Sequence, residues 1–224
     1  MPTPPVTDYF NALPIDPRRR VAPATARNRD PILAVLREHI PLPARVLELA
    51  SGTGEHGAYF CTQLPELQWQ PSDADPDSLA SITAWKEALR LSNLHEPVAI
   101  DLSQPVDHLP WSAGTFDAGF CANLIHIAPW EVCPNMLSVM SRVLKPNAPF
   151  IVYGPFRVNG AHTAPSNVQF EQWLHSLDPR FGVRDREAVV READVRGLDL
   201  EHNVEMPANN FCLVFRKRAA GDGN

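Results

Sequence analysis

The stretch that most constrains the fold is Arg45-Val46-Leu47-Glu48-Leu49-Ala50, followed by Ser51-Gly52-Thr53-Gly54-Glu55-His56-Gly57. A short apolar run meets a glycine-rich turn, and a helical pattern then continues through Tyr59, Phe60 and Leu64. A strand–turn–helix unit of this kind needs parallel neighbours on either side, which points to an open α/β sheet. Gly52 to Gly57 satisfies G-x-G-x-x-G. Yet Glu48 stands before the turn and Glu55 inside it. A pyrophosphate is an anion, and a carboxylate at close range repels it.

The rest of the chain keeps up the alternation. Asp30 as a cap and Pro31 as first helical residue predict a helix carrying Ile32, Leu33, Leu36 and Ile40. Strands are predicted over 67–71, 98–102 and 148–153, with a further one inside 116–127 that begins at Phe116. Asp75-Pro76 starts a helix that runs to about Ser92, Met136 to Leu144 is helical, and Ser166 caps a helix through Phe170, Trp173 and Leu177. A last helix spans Arg186 to Arg196 and stops at Gly197. Leu198–Glu205 and Asn210–Lys217 read as an antiparallel hairpin. The expected fold is α/β: a Rossmann-like, doubly wound seven-stranded sheet, mostly parallel, with an antiparallel C-terminal hairpin strand.

Proline sets the expected boundaries. Of 23 prolines, Pro2, Pro4, Pro5, Pro14, Pro17 and Pro23 crowd the start, so 1–25 reads as an irregular arm. A single domain is expected over 26–218, with 155–185 as a substrate-side insertion and 219–224 as a disordered tail. The stretch from Pro155 to Pro165 reads as irregular, and Arg18-Arg19-Arg20 as a solvated run.

Composition narrows the partners. A net charge of −6 argues against a protein held to nucleic acid by phosphate contacts. No apolar run is long enough to span a membrane. The first twenty residues have no apolar core of a secretory signal. The expected compartment is therefore the cytoplasm. Cys61, Cys121, Cys133 and Cys212 lack metal-ligand spacing and read as buried, reduced thiols, with no metal expected. No pattern in the chain speaks to its oligomeric state.

Three readings of the glycine turn compete: a dinucleotide site, a site for S-adenosylmethionine, or a purely structural turn. Charge separates the first two. Glu48 suits the ammonium of a methionine moiety, and Thr53 with the turn amides suits its carboxylate. Asp73, which follows the second strand, can hold a ribose diol in either class. Asp101, expected at the end of the third strand, can accept from an adenine amino group or serve only as a turn carboxylate. Ala50, Gly52, Gly54, Leu102 and Asn123 complete the expected cofactor lining, with Arg27 and Asn28 closing over its mouth.

These residues resemble a class I S-adenosylmethionine-dependent methyltransferase. Val46 to Gly54 is similar to that superfamily's first motif. Asp73, Asp101, Phe116-Asp117-Ala118-Gly119 and Val143 to Phe150 fall in order where its later motifs would. Within the last, Asn147-Ala148-Pro149 stands where glycines are common. The chain is more similar still to the DUF938 family, which includes methyltransferase-like protein 26. That resemblance runs from about Asn28 to Lys217. It rests on Ala26-Arg27-Asn28-Arg29-Asp30-Pro31, Glu48 to Gly57, Trp69 to Asp73, Asn123 to Ile127, Tyr153 to Phe156, Ser166-Asn167 and Phe181 to Asp185. The resemblance implies the fold and S-adenosylmethionine, and no particular acceptor.

Methyl transfer from a sulfonium is an in-line displacement, so alignment can supply much of the acceleration. A base is needed only where the acceptor must lose a proton early. His126, after the fourth strand, is a candidate base because free imidazole titrates near neutrality; the alternative is a packed or hydrogen-bonded histidine at a strand end. Tyr153, after the fifth strand, is a candidate to orient substrate or a core aromatic. His162, Asn167 and Arg184 are candidates to bind a polar or anionic acceptor. Asn123-Leu124-Ile125-His126 is not the Asn/Asp-Pro-Pro-aromatic motif used on planar amino groups, so a small-molecule acceptor, methylated at O or N, is expected. The rivals are a dinucleotide oxidoreductase and a non-catalytic binding module.

Overall fold

The computed structural model describes residues 13–219. The first twelve residues of the expected arm and the last five of the expected tail lie outside them. Seven strands form the main sheet: β1 (Ala44–Glu48), β2 (Leu67–Asp73), β3 (Val98–Ala99), β4 (Ala118–Ala122), β5 (Pro149–Gly154), β9 (Leu198–Met206) and β10 (Asn210–Lys217). Their order is β3-β2-β1-β4-β5-β10-β9. All neighbours are parallel except β10, which runs antiparallel to both β5 and β9. The expected doubly wound sheet with one antiparallel hairpin strand is what forms.

Alternation along the central strands explains the layers. Val46, Phe120, Ile151 and Val214 face one apolar layer, built with α1 (Pro23–His39), α2 (Glu55–Gln63) and α3 (Pro76–Leu89). Leu47, Cys121, Phe150, Val152 and Phe215 face the other, built with α4 (Val132–Val143) and α6 (Arg186–Asp194). The remaining helix, α5 (Pro165–Leu177), belongs to neither layer: it buries only Asn167 and Leu174. The order reverses between β1 and β4, so the crevice beyond their carboxyl ends is the switch point where α/β folds bind ligands. All four cysteines are buried free thiols, and burial pushes each thiol's pKa well up.

Several local expectations are corrected. The first helix begins at Pro23, not Asp30, and Pro31 lies inside it. Pro23 fills the first helical position, while the half-buried amide of Ala22 is satisfied from another helix by Glu55 Oε2 at 3.0 Å. The cap is thus supplied in tertiary structure, where local pattern could not show it. β3 is only two residues long. Ile100 still donates to the Asp73 carbonyl, but the chain then leaves the sheet, so Asp101 lies in a loop. The fourth strand begins at Ala118; Phe116 only bridges to Leu144.

Ser166 does not cap α5. Ala164 holds that position and Pro165 begins the helix. The 155–165 stretch is not irregular either. It holds β6 (Phe156–Val158) and β7 (Ala161–His162), which join β8 (Arg184–Asp185) in a separate three-stranded sheet. Asn159 and Gly160, at φ 52° and 77°, make the two-residue hairpin turn. Nor are the three arginines free. Arg18 pairs with Asp16 and Glu87, Arg20 pairs with Asp75, and Arg19 lies over the Trp85 ring.

Candidate active site

The three motif glycines are there for three different reasons. Gly52 has φ +56° and a Cβ there would meet nothing within 4 Å, so its face opens on free space. Gly54, at φ +78°, would drive a Cβ to 2.6 Å from Ile82 Cγ1, so α3 packs directly on the turn. Gly57 would place one 2.6 Å from Trp69 Nε1 and 3.3 Å from Glu48 Oε2. Ala50 also sits in the left-handed region, at φ 54°, which strains any residue with a Cβ.

Charge inside the turn is arranged around its amides. Asp73, at the end of β2, accepts from the Gly52 amide at 2.8 Å and from the Asp75 amide at 3.0 Å. The Gly54 amide donates to the Ser51 carbonyl at 3.0 Å. Thr53 Oγ1 accepts from the Glu55 amide at 3.4 Å. Ser51 and Ser72 lock the turn to β2: Ser51 N donates to Ser72 O at 2.9 Å, and Ser72 N to Ser51 Oγ at 3.2 Å.

Glu48 is 2% exposed and lies against Trp69, whose indole donates to Oε2 at 2.9 Å. It is therefore under the turn rather than displayed on it. Burial pushes its carboxyl up to about 7; the hydrogen bonds from Trp69 and Ser51 pull it back, and the nearby Asp73 carboxylate adds to the rise. Trp69 was not among the expected site residues, although a tryptophan in the strand beside an acidic strand end is a readable signal. Asp101 is exposed and its Oδ1 accepts from the Ser103 amide at 2.8 Å; the Ser103 hydroxyl first, then that amide, holds its carboxyl below the usual range. Leu102 is buried, and its carbonyl accepts from Asn135.

Glu55 and His56 anchor α1 over the turn. His56 Nε2 pairs with Asn28 Oδ1 at 2.8 Å, and burial pushes the imidazole down to about 4. Glu55 lies 3.8 Å from the Arg29 guanidinium in a buried ion pair. Asn28 also hydrogen-bonds the Tyr153 hydroxyl, which burial raises above its ordinary pKa. Tyr153 is 4% exposed, so its ring is core while its hydroxyl joins the α1 network. Arg27, one residue before Asn28, is exposed.

On the other side of the crevice, Asn123 follows β4 in the left-handed region at φ 59°, and its amide donates to the Tyr153 carbonyl. His126 is fully buried, packed edge-on to Phe156 with ring centroids 5.2 Å apart. Neither ring nitrogen has a hydrogen-bond partner. Gly154 makes the close fit possible: a Cβ there would stand 2.3 Å from His126 Nε2 and 3.4 Å from Asn123 Oδ1. Burial, then the Arg184 charge, pushes the imidazole down to about 3; the Gly182 backbone, near the ring but outside good hydrogen-bond geometry, opposes. The near-neutral titration expected of His126 is thus corrected: the ring is uncharged at physiological pH.

The three acceptor-side candidates separate. Arg184 donates through Nε and Nη2 to the carbonyls of Ile125, Ala128 and Arg180 at 2.7 to 2.8 Å, so its guanidinium ties the segment after β4 to the one before β8. Asn167 Nδ2 donates to Thr163 Oγ1 and the Asn209 carbonyl, fastening α5 to the β9–β10 turn. His162 Nε2 pairs with Glu171 Oε2 at 2.7 Å, and its buried Nδ1 has no partner. It lines an open groove of about 630 Å³ with Thr163, Val168 and Gln172. Among the described residues no group of three metal-ligating side chains occurs, and no helix is long and apolar enough to cross a membrane.

Sheet order, switch point and glycine turn together define the class I S-adenosylmethionine-dependent methyltransferase fold. Solved structures with this fold include an S-adenosylmethionine-dependent methyltransferase from Aquifex aeolicus, at 16% identity and TM-score 0.63, with 87% of this chain and 93% of that one covered. An O-methyltransferase family protein from Burkholderia thailandensis matches at 16% identity and TM-score 0.73, covering 89% and 58%. Human N-acetylserotonin methyltransferase in complex with S-adenosylmethionine matches at 15% and 0.68, covering 88% and 53%. The chain spans a little over half the length of the last two. At these identities the likeness is one of fold. The model of the DUF938 family, described as a protein of unknown function, matches residues 19–217, and the chain belongs to that family.

Proposed function

We propose that this protein is a methyltransferase that uses S-adenosylmethionine and acts on a small-molecule acceptor at oxygen or nitrogen. The observation that carries the reading is the Asp73 carboxylate on the Gly52 amide. In a dinucleotide site that amide is available to an anionic phosphate. Here it is already engaged by a carboxylate, and Glu48 lies beneath. The turn therefore favours a ligand with hydroxyls and a positive charge over a pyrophosphate.

The residues fit such a ligand. Gly52 opens on free space at the strand-order reversal, where a nucleoside can lie. Asp73 keeps a second acceptor site on each oxygen for a ribose diol while it holds the Gly52 and Asp75 amides, and Glu48 places negative charge under a methionine ammonium. Ala50, Thr53, Gly54, Leu102 and Asn123 complete the lining, Asp101 stands at the adenine end, and α1 brings Arg27 and Asn28 over the mouth. When bound, the cofactor supplies an electrophilic methyl group on a sulfonium. The chain's task is to align an acceptor with it and exclude water. His126 and Tyr153 are proposed for the acceptor side. A neutral His126 can accept a hydrogen bond from an acceptor hydroxyl or amine without repelling the sulfonium.

The test is incubation of the protein and S-adenosylmethionine with a cell extract split by size. Release of S-adenosylhomocysteine in the small-molecule fraction supports the reading. Release only in the protein or nucleic-acid fraction contradicts the acceptor class. Cofactor binding with release in no fraction favours a binding module.

A further inference from the structure

The arm and the glycine turn meet at one buried hydroxyl. Ser81, on α3, is fully buried. Its Oγ donates to the Thr53 carbonyl at 2.7 Å and accepts from the Arg20 amide at 2.9 Å. Thr53 lies between two glycines in the left-handed region, so nothing in its own backbone fixes where that carbonyl points. Residues 13–22 cross the turn a second time where the Ala22 amide donates to Glu55 Oε2 at 3.0 Å. Trp85, 2% exposed, holds the arm between these points by donating to the Arg20 carbonyl at 2.9 Å. The ion pairs of Arg18 and Arg20 on the outside are half-exposed and add little.

We propose that residues 13–22 are a strap that holds the glycine turn in its binding shape, with Ser81 as the positioning residue that joins strap to turn. Among the described residues the Thr53 carbonyl is held by this hydroxyl alone, so the strap is a working part of the cofactor site. The cofactor arm of the test rests on the proposed function; the exchange arm does not.

The experiment is amide hydrogen exchange across 50–57 without ligand, together with calorimetric titration of S-adenosylhomocysteine, on the full chain. Ser81→Ala removes both bonds. It is expected to speed exchange in the turn at least ~fivefold and to weaken binding about tenfold, the size of one lost buried hydrogen bond. Arg20→Pro, which deletes the strap's donor, is expected to do the same. Arg20→Ala keeps the amide and is expected to show a smaller effect than Arg20→Pro in both measurements. Wild-type exchange in Ser81→Ala and Arg20→Pro overturns the strap. Faster exchange with unchanged affinity overturns its role in binding. If the wild-type chain itself does not bind S-adenosylhomocysteine, the functional reading fails while the exchange rates still decide the strap.

Discussion

Around the glycine turn, Glu48, Ser51, Ser72, Asp73 and Ser81 each have a hydrogen-bond partner. Beyond β4 and in the small sheet, both ring nitrogens of His126, Nε of Arg157 and Nδ1 of His162 are buried without one. A satisfied network is rigid and set before any ligand arrives. An unsatisfied buried polar group costs about 1–3 kcal/mol, and a ligand that completes it recovers that cost. One region is thus fixed by its own bonds, and the other carries unmet hydrogen-bonding capacity, which the proposed function assigns to an acceptor.

The sharpest way to break this contrast is to fill the turn's open face. Gly52→Arg is expected to weaken S-adenosylhomocysteine binding by more than about 100-fold, or over ~2.7 kcal/mol. Calorimetry on the folded variant checks it; an unchanged affinity would mean the ligand lies elsewhere.

Glu48→Gln tests whether charge under the turn is kept for function at the expense of stability. A carboxyl whose folded pKa is raised binds more protons folded than unfolded between about 4.5 and 7, so wild-type stability falls as pH rises through that window. The glutamine variant is expected to be more stable than wild type by about 3 kcal/mol at pH 8 and equal to it near pH 4.5, by denaturant titration. It is also expected to bind S-adenosylhomocysteine more weakly. A stability difference that does not vary with pH would remove the argument.

On the acceptor side, His126→Leu replaces an unpartnered imidazole by an apolar group. It is expected to raise stability by ~1 kcal/mol and to lower turnover while leaving cofactor affinity unchanged. A variant that is both less stable and fully active would make His126 a packing residue. The smallest effect is expected from Ala50→Gly, which relieves a left-handed alanine at the cost of added freedom in the unfolded chain. Stability should rise by less than about 1 kcal/mol, read from the thermal midpoint.

Where local chemistry decides structure, the sequence was readable. Asp75-Pro76 starts α3 with Asp75 accepting from Asp77, as such a pair should. Gly197 ends the α6 segment at φ 72°, and the C-terminal hairpin forms where alternation placed it. Asn159-Gly160 was also readable as a hairpin turn, but the surrounding prolines masked it. Pro31 misled because the cap of α1 comes from Glu55, a residue far along the chain. Arg18 to Arg20 looked solvated because their partners lie on α3. Glu48 was found by charge and spacing; that it lies under Trp69 instead of facing the turn depended on a neighbouring strand. The unpartnered state of His126 depends on Gly154 and Phe156, which no local pattern joins to it.

The most direct measurement is a calorimetric titration of the wild-type chain with S-adenosylhomocysteine and, separately, with NADH. A turn whose first amide is held by Asp73 predicts saturable binding of S-adenosylhomocysteine and none of NADH. Binding of NADH in preference to S-adenosylhomocysteine would contradict it.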